Sequence, residues 1–441
     1  MGMVVKNNMS AVQTLNTLNK NSNALSKSLQ KVSSGMKING AADDASGYAI
    51  SERMRVQIRG LDQANSNTQN GSAMMKVAEG AVSSTVEILK TLKEKVINAA
   101  NDTNTDSDRQ TIQKELDQSI DQIDDNANVT YNGKYLVDGS HNSKTTATTT
   151  ALTNESFDTA TKGASALTAL KSRTGELLHI DSTDNVTVSY VKQGRTYTTT
   201  FSVGSETLSS ILAKQAENGK DKLAANSLTV NSAVTAVIGK DGSGNTVMTA
   251  DKGNAITLTA KDPGVDGQIS GFTISITNNK GAINKSANAV LDNFSESIRA
   301  QNESQDNSLV LQVGTKANQA IKVGLTDMRS TALGLKGTDG STLNVSTQKN
   351  ANAAINVLDN AVQKALDQQT TIGSIESRLE YTSSNLTTAS ENVQSSESTI
   401  RDANMAKEMT EYTKNNVLMQ AAQSMLAQAN QSSSSVLSLL Q

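Results

Sequence analysis

From Leu358 onward every seventh residue is apolar: Leu358, Ala365, Ile372, Leu379, Leu386, Val393 and Ile400. A seven-residue period held this long marks a helix that buries one narrow seam against another helix. Such a segment cannot close a compact core alone and must pack side by side with other long helices. The second row is softer, with Ala351, Ile355 and Val362 giving way to Gln369, Glu376 and Ser383. The seam is therefore expected to be apolar along one row and mixed along the other.

A second long repeat runs through Ile50, Met54, Leu61, Ala64, Met75, Ala78, Val82, Leu89, Leu92, Val96 and Ala99. Its spacings near three and four predict another long helix, with Asp43 and Asp44 capping its start and Gly35 ending the helix before it. A shorter stripe of Ile112, Leu116, Ile120, Ile123 and Ala127 opens through Asp106-Ser107-Asp108, a capping sequence, and the chain turns at Asn132-Gly133. Residues 43–130 and 347–400 are predicted to form one bundle, with Leu61, Leu89, Leu92 and the heptad row as its seam.

The two ends repeat the theme. Ala11, Leu15, Leu18, Leu25, Leu29 and Val32 form a stripe interrupted by Ser22, and Leu418, Ala422, Met425, Ala429, Val436 and Leu439 form one interrupted by Ser432. From Asn415 to Gln441 no side chain is charged, yet Gln, Asn and Ser are too frequent for a membrane helix, and no run of about 20 apolar residues occurs anywhere. The nine large apolar residues of this tail recover less free energy than ordering its 27 residues costs. Order is expected only where other surfaces exclude water from several of its faces at once.

Between the arms, from about residue 140 to 305, the chain is rich in Thr, Ser, Gly and Asn. Val186–Tyr190 and Thr196–Val203 read as a hairpin about Gln193-Gly194, followed by a helical stretch at Leu208–Ala213, with further strands at Ile256–Ala260 and Gly271–Ile276. One or two small β-containing domains are expected here. The fold class is thus mainly α, long helical arms with an inserted β-rich outer part.

Composition narrows the chemistry. The 40 basic and 43 acidic residues nearly balance, which argues against a nucleic-acid partner, and membrane spanning is not expected. There is no Cys, and the two His (His141 and His179) lie in the Thr-rich middle without H-E-x-x-H, so thiol catalysis and a histidine metal site are not expected, nor is a cofactor. Asp43-Asp44 and Asp124-Asp125 read as helix caps rather than catalytic carboxylates. Met74, Met75, Met405, Met409, Met419 and Met425 read as core residues at helical spacing. The N-terminal Met1–Asn8 carries no apolar stretch of signal-peptide length, so export would read an uncleaved end.

At this point the arms resemble a known family. Leu29-Gln30-Lys31-Val32-Ser33-Ser34-Gly35-Met36-Lys37-Ile38-Asn39, Ala42-Asp43-Asp44-Ala45-Ser46-Gly47, Asn65 to Gly80, Ile400-Arg401-Asp402-Ala403-Asn404-Met405-Ala406 and Met425-Leu426-Ala427-Gln428-Ala429-Asn430 resemble the motifs of bacterial flagellins, over roughly residues 4–139 and 308–441. The resemblance implies a structural subunit that polymerises with copies of itself into the flagellar filament. Its implied partners are the flagellar export chaperone, the filament cap and hook-associated proteins.

It also implies residues 1–42 and 402–441 as the inner filament layer called D0, and 43–139, 307–346 and 347–401 as the D1 part. Residues 140–306 would then be a solvent-facing outer domain, and the filament core would rest on Leu15, Leu18, Leu25, Leu29, Val32, Leu418, Met425, Val436 and Leu439.

Two departures stand out. In the family pattern the hairpin resembled by Leu309–Gly314 to Leu325 follows the third helix directly, whereas here about 170 residues intervene after Gly139. At the patch that Toll-like receptor 5 reads in many flagellins, Thr91 stands where stimulatory members carry Arg and Lys95 where they carry Leu, while Glu94 and Glu115 are kept. Weak receptor activation is expected. A hook-filament junction protein built on similar arms is the alternative reading, and an enzyme-bearing filament comes last.

Overall fold

The computed structural model describes residues 8–213, 228–230, 237–249 and 255–439. Helices α1 (Met9–Ser34), α2 (Ala45–Ala99) and α3 (Asp106–Ala127) lead into a short hairpin of β1 (Thr130–Tyr131) and β2 (Lys134–Tyr135). The middle carries β3 (Ala151–Asn154), β4 (Asn185–Lys192), β5 (Arg195–Ser202), α4 (Leu208–Ala213), β6 (Leu228–Val230), β7 (Val237–Lys240) and β8 (Thr246–Met248). It continues through β9 (Ile256–Ala260), β10 (Ile269–Thr277), α5 (Lys285–Leu291) and β11 (Ser295–Ile298). A second hairpin of β12 (Leu309–Gln312) and β13 (Ala320–Val323) precedes α6 (Gln348–Arg401) and α7 (Met405–Leu439). The class is the expected one: long helical arms with an inserted β-rich region.

Two compact units divide the chain, one of Met1–Thr68, Gln312–Gln319 and Tyr381–Gln441, the other of Gln69–Leu311 and Ala320–Glu380. Helix ends follow local chemistry. Gly35 closes α1 in the left-handed region (φ 71°), with its N–H bonded to the Lys31 carbonyl, a conformation that glycine adopts without strain. Asp44 opens α2, its carboxylate accepting from the Ser46 and Gly47 amides at 3.0 Å each. Asp43 does not cap that helix: its Oδ2 accepts from the Asn39 and Gly40 amides and closes the preceding loop. The cap of α3 is also not the expected one. Thr105 holds the N-cap: its hydroxyl accepts from the Asp108 N–H while the Asp108 carboxylate accepts from the Thr105 N–H, a capping box.

In the second unit α2, α3 and α6 bury Leu89, Leu92, Val96, Leu116, Ile120, Ile123, Leu358, Ala365, Ile372 and Leu379. The softer row differs from the sequence reading by one residue. Ala354, Ala361 and Gln368 are buried, whereas Ile355, Val362 and Gln369 are half-buried. Small Ala lets the helices approach closely, and Gln368 finds its partner in Thr326, whose hydroxyl donates to Oε1 at 2.7 Å. In the first unit Leu61 and Ala64 meet Leu386, with Ala389 and Val393 packed beside them.

The connection within residues 307–346 contributes to the second unit's core. Between β13 and α6 the backbone is irregular, yet Leu325, Met328, Leu333, Leu335, Leu343 and Val345 are buried. Side chains of α3 satisfy its backbone: Asp124 accepts from Ser330 N at 2.8 Å, and Gln113 Oε1 accepts from Val345 N at 2.7 Å. A buried loop needs such partners, since each unpaired amide would otherwise carry a desolvation cost.

The inserted region holds an antiparallel sheet of order β10-β4-β5 and a second of order β11-β3-β9-β6. Gln193 and Gly194, at φ 52° and 73°, make the β4–β5 turn. Alternate residues Val186, Val188 and Tyr190 on β4 face Ile276, Ile274 and Phe272 on β10, all buried. These residues join Leu152, Ile256 and Leu258 of the other sheet in one apolar cluster. Along α6, Asn356 and Asn360 donate to the carbonyls of Phe272 (3.2 Å) and Ser270 (2.8 Å) on β10. Gly271 allows this approach: a Cβ there would lie 2.7 Å from Val357 Cγ2.

Below that contact Glu296 is buried beside Arg299, and the Lys364 ammonium, fully buried, donates to the Ala332 carbonyl at 2.7 Å. Burial pushes the Glu296 carboxyl up to about 7 against the pull of Arg299 and Lys364, and one of its oxygens has no hydrogen-bond partner. Between its ordinary value of 4.5 and about 7 the folded chain holds a proton that the unfolded chain releases. Stability from this group therefore falls as pH rises through that window and is level above it. Denaturant unfolding at about pH 5 and about pH 8 should show Glu296→Gln gaining on the parent chain at the higher pH; equal pH dependence in the two would contradict the assignment.

Candidate assembly site

Helices α1 and α7 lie antiparallel, stitched by polar side chains. Asn8 Nδ2 donates to the Ala429 carbonyl at 3.2 Å, Asn21 Nδ2 to the Leu418 carbonyl at 3.1 Å, and Asn415 Nδ2 to Ser28 Oγ at 2.9 Å. The covered row of α1 is Ala11, Thr14, Leu18, Asn21, Leu25, Ser28 and Val32, and that of α7 is Tyr412, Asn415, Met419, Ala422, Leu426 and Ala429. Ser28 and Ala422 are the fully buried members. Small residues at the centre bring the two helices close, and each amide side chain spends its donor on the opposite helix.

This choice of row leaves larger apolar side chains outside. Leu15 and Leu29 are 46% and 51% exposed, and Val417 and Met425 are 58% and 62% exposed. Leu418 is exposed as well, while Leu18, Leu25 and Val32 are half-covered. The side chains of Val436 and Leu439 lie outside the described residues. Reading the methionines as core holds for Met74 and Met75, which are buried, but not for Met405, Met409 and Met425, which face out. Among the described residues their helix packs along one side, against α1.

The seam residues expected along the longer helices sit in two environments. Leu61, Leu89, Leu92, Leu358, Ile372, Leu379 and Leu386 are buried, and Val393 and Ile400, near the end of α6, are half-buried. On α2, Thr91 is exposed with its hydroxyl donating to the Glu87 carbonyl, and Glu94 is exposed. Lys95 Nζ stands 3.0 Å from Glu115 Oε1 on α3, an ion pair that occupies both side chains. Among the described residues no helix is long and apolar enough to cross a membrane, and no three His, Asp or Glu side chains are grouped to hold a metal ion.

Comparison with known proteins decides the family. Residues 5–142 match the bacterial flagellin N-terminal helical region and residues 355–440 the bacterial flagellin C-terminal helical region. A flagellin of Clostridium tyrobutyricum is 34% identical over 430 residues, covering 97% of this chain and 99% of its own length. This chain belongs to the bacterial flagellins. A Bacillus subtilis flagellin is 28% identical over 458 residues, covering 99% of this chain and all of its own. The flagellar hook associated protein-3 of Legionella pneumophila is 14% identical in a solved structure that covers 78% of this chain and 97% of its own, with a TM-score of 0.33. That value carries no argument about this chain. The protein is accordingly a flagellin, a structural subunit of the flagellar filament, and its arms carry the matched regions on both sides of the insertion.

Proposed function

We propose that this flagellin polymerises by burying, between copies, the apolar row that its own α1–α7 pair leaves outside. That row comprises Leu15 and Leu29 on α1 with Val417, Leu418 and Met425 on α7. One observation carries the reading: the seam buries only Ser28 and Ala422 and half-covers Leu18, Leu25, Val32, Met419 and Leu426, while Leu15, Leu29, Val417, Leu418 and Met425 stay exposed. An exposed face of this kind gains free energy only when another surface removes it from water, at about 25 cal/mol per Å².

On this reading residues 1–42 and 402–441 form the innermost layer of the filament, residues 43–139 and 307–401 the layer around it, and residues 140–306 face solvent outside the cell. An uncharged tail also suits passage through a narrow export channel, with a chaperone covering the exposed row before assembly and the filament cap and hook-associated proteins meeting the same arms. The paired substitution Leu15→Ser with Leu29→Ser should leave unfolding of the monomer within about 0.5 kcal/mol, since both side chains are already in water. The critical concentration for growth from filament seeds should rise about tenfold or more. Growth equal to the parent chain's would sink the proposal.

The patch on α2 supports a second, smaller reading, that this flagellin activates Toll-like receptor 5 weakly. Thr91 offers no guanidinium fork, and Lys95 occupies Glu115 in an ion pair instead of presenting an apolar side chain. In a receptor-reporter assay Thr91→Arg with Lys95→Leu should raise potency. A parent chain as potent as strongly stimulatory flagellins would overturn this.

A further inference from the structure

Within the first unit the chain breaks its helices twice, between α1 and α2 and between α6 and α7, and the two breaks lie alongside each other. Lys37 N donates to the Arg401 carbonyl at 2.8 Å and Ala403 N to the Gly35 carbonyl at 2.9 Å, framing an antiparallel bridge between Met36 and Asp402. Lys37 Nζ reaches the Thr399 carbonyl at 3.2 Å, and Arg55 Nε pairs with Glu397 at 2.9 Å.

Two backbone hydrogen bonds and these two side-chain contacts fix where the breaks touch. The side chain of Arg401 adds a further contact from within the joint. Only 6% of it is exposed, unusual for an arginine. Its Nη1 donates to Glu52 Oε1 at 2.7 Å and lies 3.4 Å from Ser51 Oγ, and the guanidinium carbon stands 5.4 Å from the centre of the Tyr48 ring. Tyr48, Ser51 and Glu52 sit one turn apart on the opening of α2, so a single planar cation grips two turns of that helix from the end of α6. The Arg401 contact also holds the Glu52 carboxyl below its ordinary value. Glu52 itself remains partly open to solvent.

We infer that Arg401 is a positioning residue for assembly: its grip on Tyr48 and Glu52 sets the direction in which the α1–α7 pair leaves the first turns of α2 and the end of α6. The inference rests on the proposed role of that pair in polymerisation. A change of direction at this joint is carried along the full length of α1 and α7, so a loosened latch alters how copies register before it alters how one copy folds. Lysine cannot replace it, because an ammonium has no planar face for Tyr48.

The test compares full-length parent, Arg401→Met, Glu52→Gln and the double variant, each grown from parent filament seeds. The parent must grow filaments; if it does not, the assembly reading fails independently of this one. Arg401→Met and Glu52→Gln are each expected to change the helical pitch of the filament or to raise the critical concentration about tenfold. The double variant should match Arg401→Met, since that change already removes the contact through which Glu52 acts. Thermal melting of the monomer should stay at the parent value. Parent-like pitch and growth in both single variants would overturn the inference. So would fully additive effects, or a change that appears only together with a lowered monomer melting temperature.

Discussion

A helix has one narrow face to bury against each neighbour, and the rest of this structure depends on which face α1 and α7 use for each other. They use a mixed one, closing Ser28 and Ala422 into the seam, half-covering Leu18, Leu25, Val32, Met419 and Leu426, and fixing its register through Asn8, Asn21 and Asn415. A pair of helices joined this way completes only part of its apolar burial and adds directional hydrogen bonds, each worth about 1 kcal/mol net. Leu15, Leu29 and Leu418 are left on the outside. Marginal stability in the single chain and demand for further copies thus come from the same choice of row.

The second unit answers the opposite requirement. Its α2, α3 and α6 bury continuous apolar rows, and the β-rich insertion docks on α6 through β10 at Gly271, where backbone meets helix without a side chain between them. Charged groups are admitted at the root of the insertion only where they answer one another. Glu296, Arg299 and Lys364 cluster there, and Arg299 also reaches Asp367 on α6 at 2.6 Å. A buried carboxyl between two cations is costly to replace by an unpaired charge, which ties the insertion to a defined site on the stem.

Much of this was legible in the residues. The heptad row from Leu358 named the seam of α6, Gly35 named the end of α1, and Gln193-Gly194 with alternating flanks named the β4–β5 hairpin, because each signal is local and each has one physical meaning. The misreadings share a cause. Hydrophobic size drew attention to Ile355, Val362 and Leu29, whereas close packing favoured Ala354, Ala361 and Ser28 one position away. Strands β3 and β11 escaped notice because each pairs with a partner more than a hundred residues distant. The buried segment from Leu325 to Val345 has no period at all, its order supplied by Gln113 and Asp124 on another element. Arg401 stood inside a recognisable motif, but nothing in the spelling of that motif said that its side chain turns back onto α2.

Amide hydrogen exchange, followed in the same protein as monomer and as assembled filament, addresses the central claim most directly. The backbone of α1 and α7 should exchange rapidly in the monomer, where one face alone is covered, and about a hundredfold or more slowly in the filament, while α3 and β4 keep similar protection in both. Protection of α1 and α7 in the monomer equal to that in the filament would contradict the account.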